Sequence, residues 1–210
     1  MIPLMTTETE ISLPPYPGIH PGDVLVVRSQ DQMDQAFAVL CTADVLGFDT
    51  ESKPIFLKGQ NSDGPHLIQL ATDTRAFLFP VLRLSNLDAV KAILESSAIL
   101  KVGFGLSEDT RRLHSRLGIQ VANVLDLSRA MREAKRNDMG AKTAVAKYFG
   151  MKLQKSKKTS TSNWAAAELS ERQIKYAADD AQVALLVYRI WLDARKQQAL
   201  GAVNDIVAAQ

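Results

Sequence analysis

The stretch Val45-Leu46-Gly47-Phe48-Asp49-Thr50-Glu51 decides how the rest of the chain is read. Apolar residues run into it and polar turn residues follow, which is the pattern of a buried strand. Alternate side chains of a strand share a face. Val45, Gly47, Asp49 and Glu51 therefore point one way, and Leu46 and Phe48 the other. Two carboxylates at strand spacing, at the end of an apolar strand, repel each other unless something positive sits between them. A divalent cation meets that need.

Working outward, residues 24–27 (Val-Leu-Val-Val) form a short β-type run. Ser29 with Gln32 has capping-box spacing, which predicts a helix over 30–42. Residues 1–22 are rich in Pro, Thr and Glu and are expected to be loose. After Glu51 comes a polar loop over 52–65, longer than a tight hairpin needs, and long loops are often functional. Strands are predicted at 66–72 and 76–80, completing an antiparallel meander with the first stretch. A helix over 84–96 and a strand over 98–102 follow. Gly103-Phe104-Gly105 reads as a turn, and Ser107 is placed to cap a helix that ends before Gly118. Residues 121–125 suit a last short strand, 128–133 and 141–149 suit helices, and 151–163 is a basic, Ser/Thr-rich loop. Ser170 with Gln173 forms a second capping box, with Leu169 and Ile174 as its hydrophobic staple. That helix should run to about residue 195. Strands clustered early, then alternating helix and strand, indicate an α/β fold: a mixed sheet with helices on both faces. The domain is expected over 23–196, between a loose tail (1–22) and a helix extension or tail (197–210).

The chain has 210 residues, 46% hydrophobic and 23% charged, enough for one domain with one core. Its single cysteine, Cys41, excludes an internal disulfide and a cysteine-based zinc site, and is expected to be a small core residue. Residues 1–27 lack the positive start and apolar run of a signal peptide. No apolar stretch approaches the roughly 20 residues needed to span a bilayer. The expectation is a soluble, cytoplasmic protein with no membrane partner. The net charge of +2 is unevenly spread: ten basic and two acidic residues lie between Arg129 and Lys158. A basic stripe beside an acidic centre suits a polyanion, while the ordinary alternative is a solvated helix surface.

Asp109 lies in the first turn of its predicted helix, where acids are favoured by the free amides and the dipole. It shares a face with Leu113 and Leu117, which must face the core, so it points towards the sheet. Arg111 and Arg112 fall elsewhere. Asp180 lies four residues after Tyr176, beside it on the last helix. It shares a face with Ala177, Ala184 and Val187. Alanines at 177, 178, 181 and 184 let this helix approach the sheet closely, and a carboxylate on such a face must be paired or metal-bound. Asp179, four residues after Lys175, reads as an ordinary surface ion pair. Four inward acids thus come from three elements: Asp49 and Glu51, Asp109, and Asp180. All-oxygen ligands select hard cations such as Mg2+ or Mn2+. Two such ions suit an in-line phosphoryl displacement, with Tyr176 orienting the attacking water.

At this point the pattern resembles the DEDD 3′–5′ exonucleases, in the subgroup with tyrosine in the last motif, to which ribonuclease D belongs. The matching residues are Gly47-Phe48-Asp49-Thr50-Glu51; Lys101-Val102-Gly103 followed by Asp109; and Tyr176-Ala177-Ala178-Asp179-Asp180-Ala181. His66-Leu67-Ile68-Gln69-Leu70-Ala71 and Ser162-Asn163-Trp164 before Leu169-Ser170 support them. The resemblance covers about residues 24–195. It implies a ribonuclease H-like fold with a five-stranded mixed sheet. It implies two divalent metal ions, Mg2+ or Mn2+, the first held by Asp49, Glu51 and Asp180. Asp49 would also touch the second ion, and Asp109 would act largely through its waters. The implied activity is removal of nucleoside 5′-monophosphates from DNA or RNA 3′ ends. The histidine subgroup is excluded, because Lys175 stands five residues before Asp180. Where many members carry an aromatic residue after the first-motif Glu, this chain has Ser52.

Candidate substrate contacts are Lys155, Lys157 and Lys158 for phosphates. Trp164 is a candidate for stacking on a base, against a competing role packed on the last helix. Phe104 is a candidate for touching the terminal base, against a competing role in the core. The histidines 20, 66 and 114 are scattered and carry no assigned chemistry. Two other readings compete. One is a non-catalytic nucleic-acid-binding module of the same fold, against which the intact acidic set argues. The other is a dinucleotide-binding dehydrogenase, from Gly103-Phe104-Gly105 with Asp126. There the third glycine position is Glu108, too large for close helix packing.

Overall fold

The structure is a computed structural model that describes residues 13–54, 63–132 and 137–208, with side chains through 201. In chain order its elements are β1 (Val24–Val26), α1 (Gln30–Leu40), β2 (Val45–Glu51), β3 (Leu67–Ala71), β4 (Ala76–Pro80), α2 (Asp88–Glu95), β5 (Leu100–Gly103), α3 (Ser107–Leu117), β6 (Val124–Asp126), α4 (Leu127–Ala130), α5 (Ala141–Phe149), α6 (Lys157–Ser160) and α7 (Glu171–Ala208). The sheet order is β1-β4-β3-β2-β5-β6. β2, β3 and β4 form the expected antiparallel meander, and β1, β5 and β6 add in parallel. The sheet therefore has six strands where the resemblance implied five.

Strand alternation divides the core into two layers. Leu46 and Phe48 of β2, with Ile68, Leu70, Phe77 and Phe79, pack under α1, α2 and α3. Val45, Val102, Leu67, Leu78, Ala71 and Ala76 face α5 and α7 on the other side. The helices begin and end where local chemistry dictates. Ser29 accepts the Gln32 N–H and caps α1. Gly118, at φ +64°, closes α3. Ser170 and Gln173 bond reciprocally at the start of α7, with Leu169 and Ile174 packed in one cluster beside them. Ser107 does not cap α3; it is the first helical residue, and Leu106 precedes it without a side-chain cap. Cys41 is not in the core but exposed at the end of α1, because the apolar stripe of that helix is Met33, Ala36 and Leu40. α2 is shorter than the predicted 84–96, and the helix predicted over 128–133 is a single turn, with Glu133 outside the described residues. The basic stretch 151–163 holds the one-turn α6, capped by Ser156. α7 continues through Ala208, beyond the end expected near residue 195.

Residues 13–22 are not loose. They run as a strap across the α5–α7 layer. Pro15 bridges Lys152 in parallel, Tyr16 stacks on Phe149, and Ile19 is buried. Residues 1–12 and 55–62 lie outside the described residues, so the expected long loop is described only at its ends. No described helix is long and apolar enough to cross a membrane.

The tightest seam in the fold is between β2 and α7. A Cβ on Gly47 would lie 1.9 Å from the backbone oxygen of Ala181, so the helix backbone rests directly on the strand. Ala177, Ala178, Ala181 and Ala184 are all buried there, as their sequence pattern predicts. Farther along, the Arg189 guanidinium forks onto Asp44 at 2.7 and 2.9 Å and also reaches Asp73, fixing α7 to the loops at the far end of the sheet. Gly47→Ala is expected to destabilise the protein by about 3 kcal/mol, the upper part of the overpacking range, because the obstacle is backbone rather than a movable side chain. Urea denaturation of the two proteins measures this, and a loss below about 1 kcal/mol would mean that the seam has slack.

Candidate active site

Because α7 lies on Gly47, its Asp180 is brought to the end of β2, where Asp49 and Glu51 point to the same face. α3 starts directly after β5, the parallel neighbour of β2, and carries Asp109 to the same end of the sheet. Asp49 and Glu51 are half-buried and Asp180 is buried. The Thr50 hydroxyl donates to Asp109 Oδ1, and the Thr50 N–H donates to Asp49 Oδ1 at 2.8 Å. Tyr176 stands one turn before Asp180 on α7, and its hydroxyl favours the ionised form of the Asp180 carboxylate. The four predicted acids and Tyr176 are therefore one constellation.

Its electrostatics are those of too many negative charges in too little water. Burial, then the charges of Asp109 and Asp180, pushes the Asp49 carboxyl well above its ordinary range. Burial, then Asp49 and Asp180, pushes Glu51 up to about 9. Burial also raises Asp109 and Asp180, opposed by the Thr50 hydrogen bond in the first case and by Lys155 in the second. Burial and the neighbouring carboxylates raise the Tyr176 phenol, so it keeps its proton and acts as a donor.

Lys155 is the ammonium inside this group. Its Nζ lies 2.9 Å from Asp180 Oδ2. Burial opposes its charge, but Asp180, Asp49 and Glu51 outweigh that and hold it protonated. It also stands 5.8 Å from the centre of the Tyr176 ring.

Among the described residues no three acid, histidine or cysteine side chains already close around a position for an ion. The donor set nonetheless fits a hard divalent cation: four carboxylates, no histidine or thiol among them, and a marked deficit of positive charge. A buried amide points the same way. Gln69 pairs with Asp49 across β2 and β3, is fully buried, and has no partner for either side-chain polar atom. Buried amides normally find partners, and the register of Gln69 opposite Asp49 puts this unpaired one beside the acids.

The other predicted contacts separate. Lys157 and Lys158 are exposed on α6. Phe104 is half-buried against the α5–α7 core. Trp164 is 2% exposed, donates its indole N–H to the Ser160 carbonyl, and packs 6.0 Å from the Tyr176 ring, so the competing packed role is the one observed. Asp179 is not a surface ion pair: it is 9% exposed and accepts the Ile19 N–H as well as the Lys175 ammonium. Lys101, quoted in the second motif, is buried on the opposite face and donates to the Ser96 and Ile99 carbonyls in the link between α2 and β5. A cleft of about 470 Å3, lined by Tyr16, Lys158, Arg172 and Lys175, meets the constellation through Tyr176 alone.

Three neighbours of the acids were not assigned roles from the sequence: Thr50, Gln69 and Arg112. Arg112 donates to the Ser52 hydroxyl at 3.3 Å, and its charge favours ionised Asp109. Its i+3 spacing from Asp109 was the available signal. For Gln69 the signal was one amide in an otherwise apolar strand.

A family model described as 3′-5′ exonuclease matches residues 24–192. The bifunctional 3′-5′ exonuclease/ATP-dependent helicase WRN of Mus musculus is 29% identical over 153 residues, covering 71% of this chain and 11% of that protein. Exonuclease 3′-5′ domain-containing protein 2 of Mus musculus is 35% identical over 122 residues, covering 53% of this chain and 19% of that protein. The chain thus spans less than a fifth of the length of these two relatives. Among solved structures, the Nibbler EXO domain of Aedes aegypti superposes with a TM-score of 0.70 at 26% identity, covering 82% of this chain and 88% of that one. Escherichia coli RNase D has the same fold, with a TM-score of 0.70 at 24% identity over 88% of this chain and 48% of that one. The ribonuclease H-like fold holds, and the chain belongs to the 3′-5′ exonuclease domain family.

Proposed function

We propose that the chain is a metal-dependent exonuclease that hydrolyses phosphodiester bonds at the 3′ ends of DNA or RNA and releases nucleoside 5′-monophosphates. The observation that carries the reading is the convergence of Asp49, Glu51, Asp109 and Asp180, from β2, α3 and α7, with the protonated Tyr176 beside them. Two divalent cations, Mg2+ or Mn2+, held by these four carboxylates would supply the charge that stabilises the attacking and leaving oxygens. The charges of Asp109 and Asp180 both act on Asp49, and Asp49 in turn acts on Glu51, which suits a ligand shared by both ions. Tyr176 retains its proton, so it orients a water by hydrogen bonding and does not take a proton from it. Lys155 can turn from Asp180 to a phosphate oxygen without leaving the site. Arg112, beside Asp109 and Ser52, offers a second cation where many members of the family carry an aromatic residue. Lys157 and Lys158 are placed to hold the phosphate backbone farther out, with affinity that falls as salt rises. Phe104 remains the candidate for the terminal base, and Trp164 supports Tyr176 from below.

Digestion of 5′-labelled single-stranded DNA and RNA of equal sequence tests this reading. With Mg2+ or Mn2+ a ladder should shorten from the 3′ end, EDTA should stop it, and Asp49→Asn should cost at least about a hundredfold in rate. Cleavage of neither polymer, with binding intact, would favour the non-catalytic binding module.

A second expectation concerns pH. The ordinary value for Glu51 is 4.5, and the folded protein raises it to about 9. Between these values the folded metal-free protein keeps a proton that the unfolded chain has released. Stability therefore falls as pH rises through that window. In EDTA the melting temperature should be lower at about pH 8.5 than at about pH 6. Mn2+ should raise it, and more so at the higher pH, where the carboxylates ionise readily to bind metal. Calorimetry reads both effects, and a metal-insensitive melting temperature at both pH values would count against the metal site.

A further inference from the structure

The strap formed by residues 14–19 touches the constellation from behind, through residues adjacent to the reactive ones. On α7, Tyr176 and Asp180 are each preceded by a strap-binding residue, Lys175 and Asp179. Lys175 Nζ donates to the Pro17 carbonyl and to Asp179 Oδ2, both at 3.0 Å. Asp179 Oδ1 accepts the Ile19 N–H at 2.9 Å. Between these two contacts Gly18 has φ +74°, and a Cβ there would lie 2.3 Å from both Asp179 Oδ1 and Lys175 Nζ. Only glycine fits that turn without strain.

The other end of the strap holds the segment that carries Lys155. The Tyr16 N–H donates to the Lys152 carbonyl at 2.9 Å, and the Lys152 N–H donates to the Pro14 carbonyl at 2.8 Å. The Tyr16 ring stacks on Phe149, with centroids 5.9 Å apart. Lys152 lies three residues before Lys155, and Leu153 is buried between them. From the end of α5 to the start of α7 the chain has only this bridge and the four-residue α6 as regular structure. The contacts therefore close a circuit: Asp180 to Lys155, Lys155 along the backbone to Lys152, Lys152 to the strap, and the strap back to Asp179.

We propose that residues 14–19, with Asp179 as their anchor, are a positioning device that sets the Lys155 ammonium against Asp180 and the site these residues border. The inference rests on the exonuclease reading for its consequence in turnover, but its geometric content is independent of it. Asp179 acts through Lys155 and touches no substrate. Its buried carboxylate is retained because the Ile19 amide and the Lys175 ammonium satisfy it, and the strap is thereby attached one residue away from a proposed metal ligand.

The test uses the full chain and two readouts. The first is the rate at which a small amine-acylating reagent modifies each lysine, resolved by mass spectrometry. In the wild type Lys155 should be slow, because it is half-buried and ion-paired. In Asp179→Ala and in Tyr16→Ala, which releases the distant end of the strap, Lys155 should react at least about threefold faster while Lys157 and Lys158 stay unchanged. Asp179→Asn keeps an acceptor for the Ile19 N–H and should restore most of the protection. The second readout is turnover of a labelled oligonucleotide in saturating Mn2+. Asp179→Ala should lower kcat about tenfold with little change in KM, and in a Lys155→Ala background the same substitution should cost less than about twofold. Unchanged Lys155 reactivity in both strap variants, or an equal loss of kcat with and without Lys155, overturns the proposal. If Asp179→Ala does not fold, Tyr16→Ala decides by the same two outcomes. A wild type that turns over no substrate, but whose Lys155 is exposed by strap variants, refutes the exonuclease reading and leaves the positioning device standing.

Discussion

The contact on which the rest of the structure depends is the seating of the α7 backbone on β2 at Gly47. A side chain at that position has nowhere to go, since the Ala181 carbonyl occupies the place of its first carbon. With glycine below and a row of alanines above, helix and strand approach as closely as two backbones can. That approach sets where Asp180 stands relative to Asp49 and Glu51. An ordinary helix-to-sheet spacing, filled by larger side chains, would lift Asp180 away from the strand end and leave three of the four acids together.

The same closeness creates an electrostatic problem. Burial raises the proton affinity of all four carboxylates, and their charges raise it further for Asp49 and Glu51. Lys155 is an internal counter-charge, but one ammonium does not balance four carboxylates. The fold thus holds, within its own chemistry, an affinity for added positive charge. The tight seam and the demand for cations are two consequences of one packing decision. The large α7–sheet core, with residues from Val45 to Tyr188, supplies the burial that holds like charges together.

Much of this was legible in the sequence because it depends on short periodicities. The two-residue period of β2 put Asp49 and Glu51 on one face. The i, i+4 spacing joined Tyr176 to Asp180, and the alanine row announced a close approach. Capping signals located the starts of α1 and α7, and Gly118 located the end of α3. What was not legible depends on contacts distant in sequence. The buried state of Asp179 requires Ile19, 160 positions away, and nothing near either residue announces the partner. Pro-rich residues 13–22 look loose by composition because their hydrogen bonds go to α7 and Lys152, not to a local element. Cys41 was misread for a different reason: a small apolar residue at a helix end can fall just beyond the buried stripe. Trp164 shows the limit of reading a residue type as a function. Its aromatic face is used, but inside the protein, beneath Tyr176.

Asp179 and Asp180 make the final point about how this helix is used. Adjacent residues on an α-helix point about 100° apart, so one turn of α7 presents two acid-bearing faces. One face, with Tyr176 and Asp180, looks to the strand end and sets its carboxylate among the other acids. The other, with Lys175 and Asp179, is neutralised internally and spends its hydrogen bonds on the strap. The pairs match in spacing and differ in surroundings: Asp180, beside Tyr176, shares the Lys155 ammonium with Asp49 and Glu51, whereas Asp179 has the Ile19 amide and the Lys175 ammonium directed at it with none of those acids competing. A buried carboxylate whose donors are not shared with other buried acids is a fastener. One that shares its counter-charge with neighbouring acids, held by burial beside them, remains available to a cation. The difference between these two adjacent acids lies in whether other acids share the positive charge beside them, not in residue type or degree of burial.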